Sequence, residues 1–284
     1  MATFFELRLV HEDAAYARQA AQAAFQVTAR LDKLLNRYRE DSEITHIRFL
    51  PPNEPLRLNI DTFHCLQISA QMQQITGGAF DPGMGREMDA WRNNSKSTEE
   101  SHDRGRLIIN PQNFTVCVSG GTVALDLGAI GKGFALDRMA EELQAWDITR
   151  ALLVAGESSI LALDVPEPDS AGWEISLTTT NQKLLLKQGA IGTSGTSIKG
   201  AHILDPRTGK SASGIHRAWA LHPSAAIADA LSTAWMLLDL DEIEEVCRKL
   251  PGAQAFLQRR ETDAEPLSSI GPFTATALSG EPEA

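Results

Sequence analysis

Between Arg106 and Thr193 short apolar runs follow one another almost without pause. RLIIN (106–110), FTVCV (114–118) and TVALDL (122–127) precede a helical stretch at 131–146, and runs at 151–155, 159–164, 173–179, 183–187 and 189–193 follow it. Such runs, rich in aliphatic residues and broken by turn formers, read as strands. Strands interleaved with helices, without regular βαβ alternation, predict an α+β protein with mixed or antiparallel sheets and packed helices, not a doubly wound sheet.

The flanking segments fit one globular unit. TFFELRLV (3–10) has strand composition. Residues 12–38 read as a helix, because Ala24, Val27, Leu31, Leu34, Leu35 and Tyr38 recur at helical spacing and build one apolar stripe. A helix is expected at 61–76, stopped by Gly77-Gly78. Residues 91–105 read as an exposed polar loop. A strand at 217–222, helices at 224–238 and around 240–250, and a strand near 254–259 complete the unit. The expected boundaries are a domain over 1–260 and a frayed tail over 261–284.

Composition narrows the partners. The chain of 284 residues carries a formal net charge of -11 and no Lys/Arg-rich run, which argues against nucleic acid. An anionic ligand would have to be held locally, by backbone amides, a cation or a metal ion. No run reaches the ~18 apolar residues of a membrane span. The first residues lack a basic and then apolar signal pattern, so a cytoplasmic protein is expected. Cys65, Cys117 and Cys247 have no metal-ligand spacing and read as free thiols.

Residues 126–137, DLGAIGKGFALD, carry the first chemical signal. Gly133 follows Lys132 where a phosphate loop needs a hydroxyl, Asp126 stands at that loop's first glycine position, and the third glycine of a dinucleotide fingerprint is Leu136. What remains is Asp126 at the end of an apolar run, glycines permitting close approach, a helix start with free amides, and Lys132 within reach of a phosphate or carbonyl. Taken alone, the stretch is better explained as a strand-to-helix turn with glycines for tight packing. In ADALST (228–233), Asp229 and Thr233 share a helix face, with Ser232 nearby. One carboxylate, a hydroxyl and carbonyls suit a partly hydrated Mg²⁺ shared with substrate phosphates, although a carboxylate near a helix N-terminus is also favoured by the dipole alone. HILDPRTG (202–209) and TGGAFDPGMG (76–85) each contain a strong Asp-Pro turn.

Taken in order, RYREDSEIT (37–45), TGGAFDP (76–82), LDLGAIGKGFALD (125–137), IGTSG (191–195), HILDPRTG (202–209) and ADALSTAW (228–235) resemble the ApbE family of FAD:protein FMN transferases. The resemblance implies an α+β, T-fold-related architecture. It implies Mg²⁺-dependent transfer of FMN from FAD to a Ser or Thr hydroxyl of a target flavoprotein, with release of AMP. It also implies site residues: metal ligands at Ala129 (through its carbonyl), Asp229 and Thr233; FAD contacts at Tyr38, Ala79, Phe80, Asp81, Asp126, Lys132 and Ile203; and catalytic roles for Asp229 and for His202 as proton acceptor. For Tyr38 the end of an apolar helix stripe is the competing expectation, for His202 a brace of its turn, and Asp205 and Arg207 are expected to shape that turn.

Three stretches depart from the family pattern. AGESSI (155–160) keeps only Gly156 and Glu157 of a Gly-Gly-acidic segment, Thr196-Ser197 stands where an acidic residue and an aromatic are usual, and MDAW (88–91) replaces a leucine-tryptophan element. Two further outcomes therefore stay open: FAD hydrolysis to FMN and AMP, and flavin binding without transfer. The usual target motif, D-G-x-[ST]-G-[AS]-T, is absent, so self-modification is not expected.

Overall fold

The computed structural model describes residues 3–93, 104–177, 183–196, 202–260, 267–271 and 278–279. Ser197, most of the polar stretch 91–105 and much of the expected tail lie outside the described residues.

A seven-stranded sheet organises the molecule. Its strands are β1 (Phe5–Leu9), β5 (Ala151–Ala155), β6 (Ser159–Ala162), β9 (Gly189–Gly195), β10 (Arg217–His222), β11 (Gln254–Gln258) and β12 (Ser268–Ile270), in the order β1-β5-β6-β9-β10-β11-β12. Every neighbouring pair is antiparallel. Within the stretch expected to fray, β12 thus forms the sheet edge.

Helices cover one face. They are α1 (Ala14–Leu35), α2 (Glu43–Arg48), α3 (Ile60–Ile75), α4 (Gly85–Arg92), α5 (Gly131–Ala145), α6 (Ala225–Trp235) and α7 (Leu240–Lys249). Helix α6 lies on β9 and β10 and against α5, and α1 packs on α5. The other face carries a small sheet, β7 (Trp173–Ser176), β8 (Lys183–Leu186) and β13 (Leu278–Ser279), whose Ile175, Leu184 and Leu186 close a second core on Leu152, Ile191, Trp219 and Phe256. Leu153, by contrast, faces the helices. Burial on both faces explains why ALLVA and its neighbours read as unbroken apolar runs without alternation. A third sheet, β2 (Leu56–Arg57), β4 (Thr115–Ser119) and β3 (Arg106–Asn110), contributes Val116 and Val118 to the helical core.

Two expectations need correction. TVALDL is not a strand: Thr122 makes an isolated bridge to Arg104 and the rest joins no sheet. Asp126 N–H donates to Pro82 O at 2.7 Å and Gly85 N–H to Ala124 O at 2.9 Å, so its backbone pairs with the turn before α4, not with a ladder. The first long helix ends at Leu35, with Asn36 extended at its C-cap. Tyr38 therefore lies beyond the apolar stripe and is 64% exposed.

The junction of α5 and α6 places the site. Asp137, the last residue of the glycine-rich segment, accepts from Ser224 Oγ at 2.7 Å, Ala225 N at 2.7 Å and Ala226 N at 3.0 Å. A residue of α5 thus caps the N-terminus of α6. Burial pushes the Asp137 carboxyl up, while these donors pull the other way.

His222, at the end of β10, supports the same cap. Its Nδ1 accepts from Ser224 N at 3.0 Å, which requires the neutral ring, and burial holds its pKa below the ordinary 6.5. The unfolded chain takes up this proton first as pH falls, so stability should decline below about pH 6.5, down to the depressed folded value. His222→Gln keeps an acceptor without the titration. Urea unfolding between pH 7.5 and 5 is expected to show a shallower acid-side loss for this variant than for the wild type.

Candidate active site

Asp229 is the centre of the arrangement. It stands in the second turn of α6 and is 2% exposed. A buried carboxylate is stable only when its oxygens are satisfied. Ser159 Oγ, from β6, donates to Oδ1 at 3.0 Å, and Gly133 N, from the first turn of α5, donates to Oδ2 at 3.1 Å. Lys132 Nζ lies 3.2 Å from each oxygen and donates to Gly128 O at 3.1 Å. One turn further along α6, Thr233 Oγ1 lies 3.1 Å from Ser194 Oγ, which is also 2.9 Å from Ser232 Oγ. Ser232 turns back to Asp229 O at 2.8 Å.

Glycines let these elements meet. A Cβ on Gly133 would lie 2.0 Å from Ala225 O, and one on Gly192 would lie 2.2 Å from Ala228 O. Helix α6 therefore touches the backbones of α5 and β9 directly. In the β6–β9 ladder Ser159 stands opposite Gly192, beneath α6, and so reaches Asp229.

A polar chain runs outward from this centre. Asp126 Oδ1 accepts from Gly128 N at 2.8 Å, and Oδ2 accepts from Arg37 at 2.7 Å. Arg37 also holds Asp89 at 2.7 Å and Gly85 O at 2.9 Å, which ties the end of α1 to α4. The Tyr38 ring has the Arg37 and Arg92 guanidinium carbons 5.4 and 5.3 Å from its centroid. The Asp81 turn adjoins through the Pro82–Asp126 hydrogen bond. Asp81 holds Arg104 at 2.6 Å and Gly83 N at 2.7 Å.

The side chains of Ala79 and Phe80 lie in the core at 1% and 2% exposure. Ile203 is also buried, and its carbonyl accepts from Ala212 N at 2.8 Å. Ala79 N donates to Thr76 O at 3.2 Å and Phe80 N to Thr76 Oγ1 at 3.1 Å. His202 packs on Trp91 of α4, with centroids 6.1 Å apart.

The DPRTG turn is held by its own side chains. Arg207 binds Asp205 and reaches Glu242 Oε1 and Leu237 O, both at 2.9 Å, pinning the turn to the α6–α7 junction. Burial opposes charge on Asp205, but the Arg207 hydrogen bonds outweigh it and hold the carboxyl below its ordinary value.

Sequence reading missed Ser159, Ser194, Arg37 and Asp137. Ser159 lies inside AGESSI, where the departure from the family pattern hid a side chain that binds Asp229. Asp137 carried a signal, since it closes the glycine-rich segment.

Among the described residues no group of three His, Cys, Asp or Glu is placed to hold a metal. A cation at Asp229 would therefore rely on one carboxylate, a hydroxyl and carbonyls, the donor set of an ion that keeps water and shares substrate phosphates. No helix among the described residues is long and apolar enough to cross a membrane.

The chain is 27% identical over 233 residues to an FAD:protein FMN transferase of Chlamydia pneumoniae, spanning 74% of this chain and 73% of that one. It is 25% identical to one from Vibrio cholerae, over 72% of this chain and 69% of that one. The crystal structure of the ApbE protein from Thermotoga maritima superposes with a TM-score of 0.76 at 25% identity, covering 91% of this chain and 96% of that one. The flavin transferase ApbE from Vibrio cholerae shares the fold, with a TM-score of 0.80 at 19% identity, covering 95% and 94%. With the ApbE family model matching residues 1–257, the chain belongs to the ApbE family.

Proposed function

We propose that the protein transfers FMN from FAD to a Ser or Thr hydroxyl of a target flavoprotein and releases AMP. The observation that carries this reading is the buried Asp229 carboxylate, approached by Ser159, the Gly133 amide and Lys132, in a chain of the ApbE family. The relatives named above carry that activity in their names.

Ala129 (through its carbonyl), Asp229 and Thr233 are the proposed Mg²⁺ ligands. Bound there, Mg²⁺ would neutralise charge on the pyrophosphate of FAD. The chain's own residues orient the reactants. Tyr38 offers an exposed ring on which a flavin can stack. Asp126, fixed by Arg37 and the Gly128 amide, shapes the wall beside Lys132, and the turn holding Ala79, Phe80 and Asp81 presents backbone to the nucleotide, as does Ile203. His202 takes the proton from the attacking hydroxyl. The new bond joins that oxygen to the phosphorus next to riboflavin, and the bond from this phosphorus to the bridging oxygen of AMP breaks.

Intact mass of a small target domain carrying the motif, after incubation with protein, FAD and Mg²⁺, tests the reading. A gain of one FMN with AMP released, lost on chelation, is expected. Magnesium-dependent AMP release without a mass gain would replace transfer with hydrolysis, and FAD binding alone would reduce the protein to a flavin carrier.

His202→Ala should lower the transfer rate by about 10²-fold or more while FAD affinity stays within a few-fold. Stopped-flow turnover beside equilibrium FAD titration separates the two. Equal losses would make His202 a brace for Trp91.

A further inference from the structure

We infer that Lys132 is the resident counter-cation of Asp229, and that a divalent ion binding at Asp229 must displace its ammonium. The inference rests on the metal reading proposed above. It follows from the charges in contact with Asp229. Ser159 and the Gly133 amide are neutral donors, whereas Lys132 Nζ stands 3.2 Å from both carboxylate oxygens. The same ammonium donates to Gly128 O, next to the proposed donor carbonyl of Ala129.

A carboxylate with 3% of its side chain exposed would be costly to leave without an opposite charge. The ammonium supplies that charge when no metal is bound. It also covers both oxygens, so a divalent ion and the ammonium cannot keep the same position against Asp229. Lys132 has the freedom to yield. Its side chain is 22% exposed, and its stem starts at the first turn of α5, beside the Gly128–Ile130 turn. Once displaced, the ammonium is free for the anionic pyrophosphate. Metal loading would thereby convert a structural ion pair into a substrate contact. Lys132 is in this sense a positioning residue, whose partner depends on whether the metal is present.

The test uses Mn²⁺ alone as probe, with free aquo-Mn²⁺ followed by electron paramagnetic resonance. Lys132→Met keeps the length of the side chain and removes its charge. It is expected to bind Mn²⁺ at least about fivefold more tightly than the wild type. In chelator its urea midpoint should fall, and its metal-induced rise in Tm should exceed the wild type's. Equal or weaker Mn²⁺ affinity in this variant, with wild-type binding intact and lost in Asp229→Asn, would overturn the counter-cation role alone. Failure of the wild type to bind Mn²⁺ would overturn the metal reading and this inference with it. The wild type supplies an independent measurement should the variant not fold. Mn²⁺ should speed acetylation of Lys132 relative to the other lysines in peptide mapping, and an unchanged relative rate would overturn the displacement.

Discussion

Asp229→Ala is expected to abolish metal-dependent AMP release and FMN transfer together. Metal neutralisation of a phosphoryl-type transition state is worth several kcal/mol, so a loss on the order of 10³-fold is anticipated. Asp229 is the sole carboxylate in the proposed ligand set, and neither Thr233 nor the Ala129 carbonyl can replace its charge. The substitution also removes the acceptor for Ser159 Oγ and the Gly133 amide, so a stability loss of about 1–3 kcal/mol should accompany it. Asp229→Asn separates the effects, since it keeps the shape and one acceptor oxygen while losing the charge. Steady-state AMP release, measured on variants whose urea midpoints show them folded, decides the matter. Turnover surviving within tenfold in both variants would mean that the metal ligands lie elsewhere.

The parts of this site differed in how far sequence could reveal them. Asp229 and Thr233 were legible because their spacing lies within one helix, where four residues return to the same face. Lys132 was legible as a cation beside a helix start. Ser159 and Ser194 were not, because their role depends on the β6–β9 register and on which face of β9 receives α6. No local pattern encodes that tertiary pairing. The same distinction holds for the fold. The apolar stripe of α1 appeared in sequence and buries Ala24, Val27, Leu31 and Leu35. Tyr38 matched its period by coincidence, and only the extended Asn36 C-cap removes it from the helix. Helices α2 and α4 span too few turns for periodicity to show. TVALDL had strand composition, but its partners are loop carbonyls and amides, whose position composition cannot foresee.

Alanine placed at two glycines of the same segment should have opposite consequences. At Gly133 the added methyl would lie 2.0 Å from Ala225 O and 2.4 Å from Ala225 C, both backbone atoms of α6. Real Cβ contacts do not occur below 3.0 Å, so α6 would have to move away from α5. That shift works against the three hydrogen bonds that Asp137 accepts from Ser224, Ala225 and Ala226 and withdraws Asp229 from the Gly133 amide. Overpacking of this kind costs about 3 kcal/mol or more. Gly192→Ala meets Ala228 O at 2.2 Å on the sheet side of the same helix and should be as damaging. Gly131, two residues before Gly133, is different. Its added methyl would make only an ordinary contact, 3.9 Å from Leu127 Cβ, and it opens α5 at a helical position. Gly131→Ala should therefore be neutral or stabilise by up to about 1 kcal/mol through reduced freedom of the unfolded chain. Urea unfolding of the three variants checks this directly. If Gly133→Ala lost no more stability than Gly131→Ala, the contact of α5 with α6 would not be what requires glycine at 133. A large loss at Gly133 and Gly192 with none at Gly131 would show that the segment resembling a phosphate loop is first a packing device, and that the position of Asp229 follows from it.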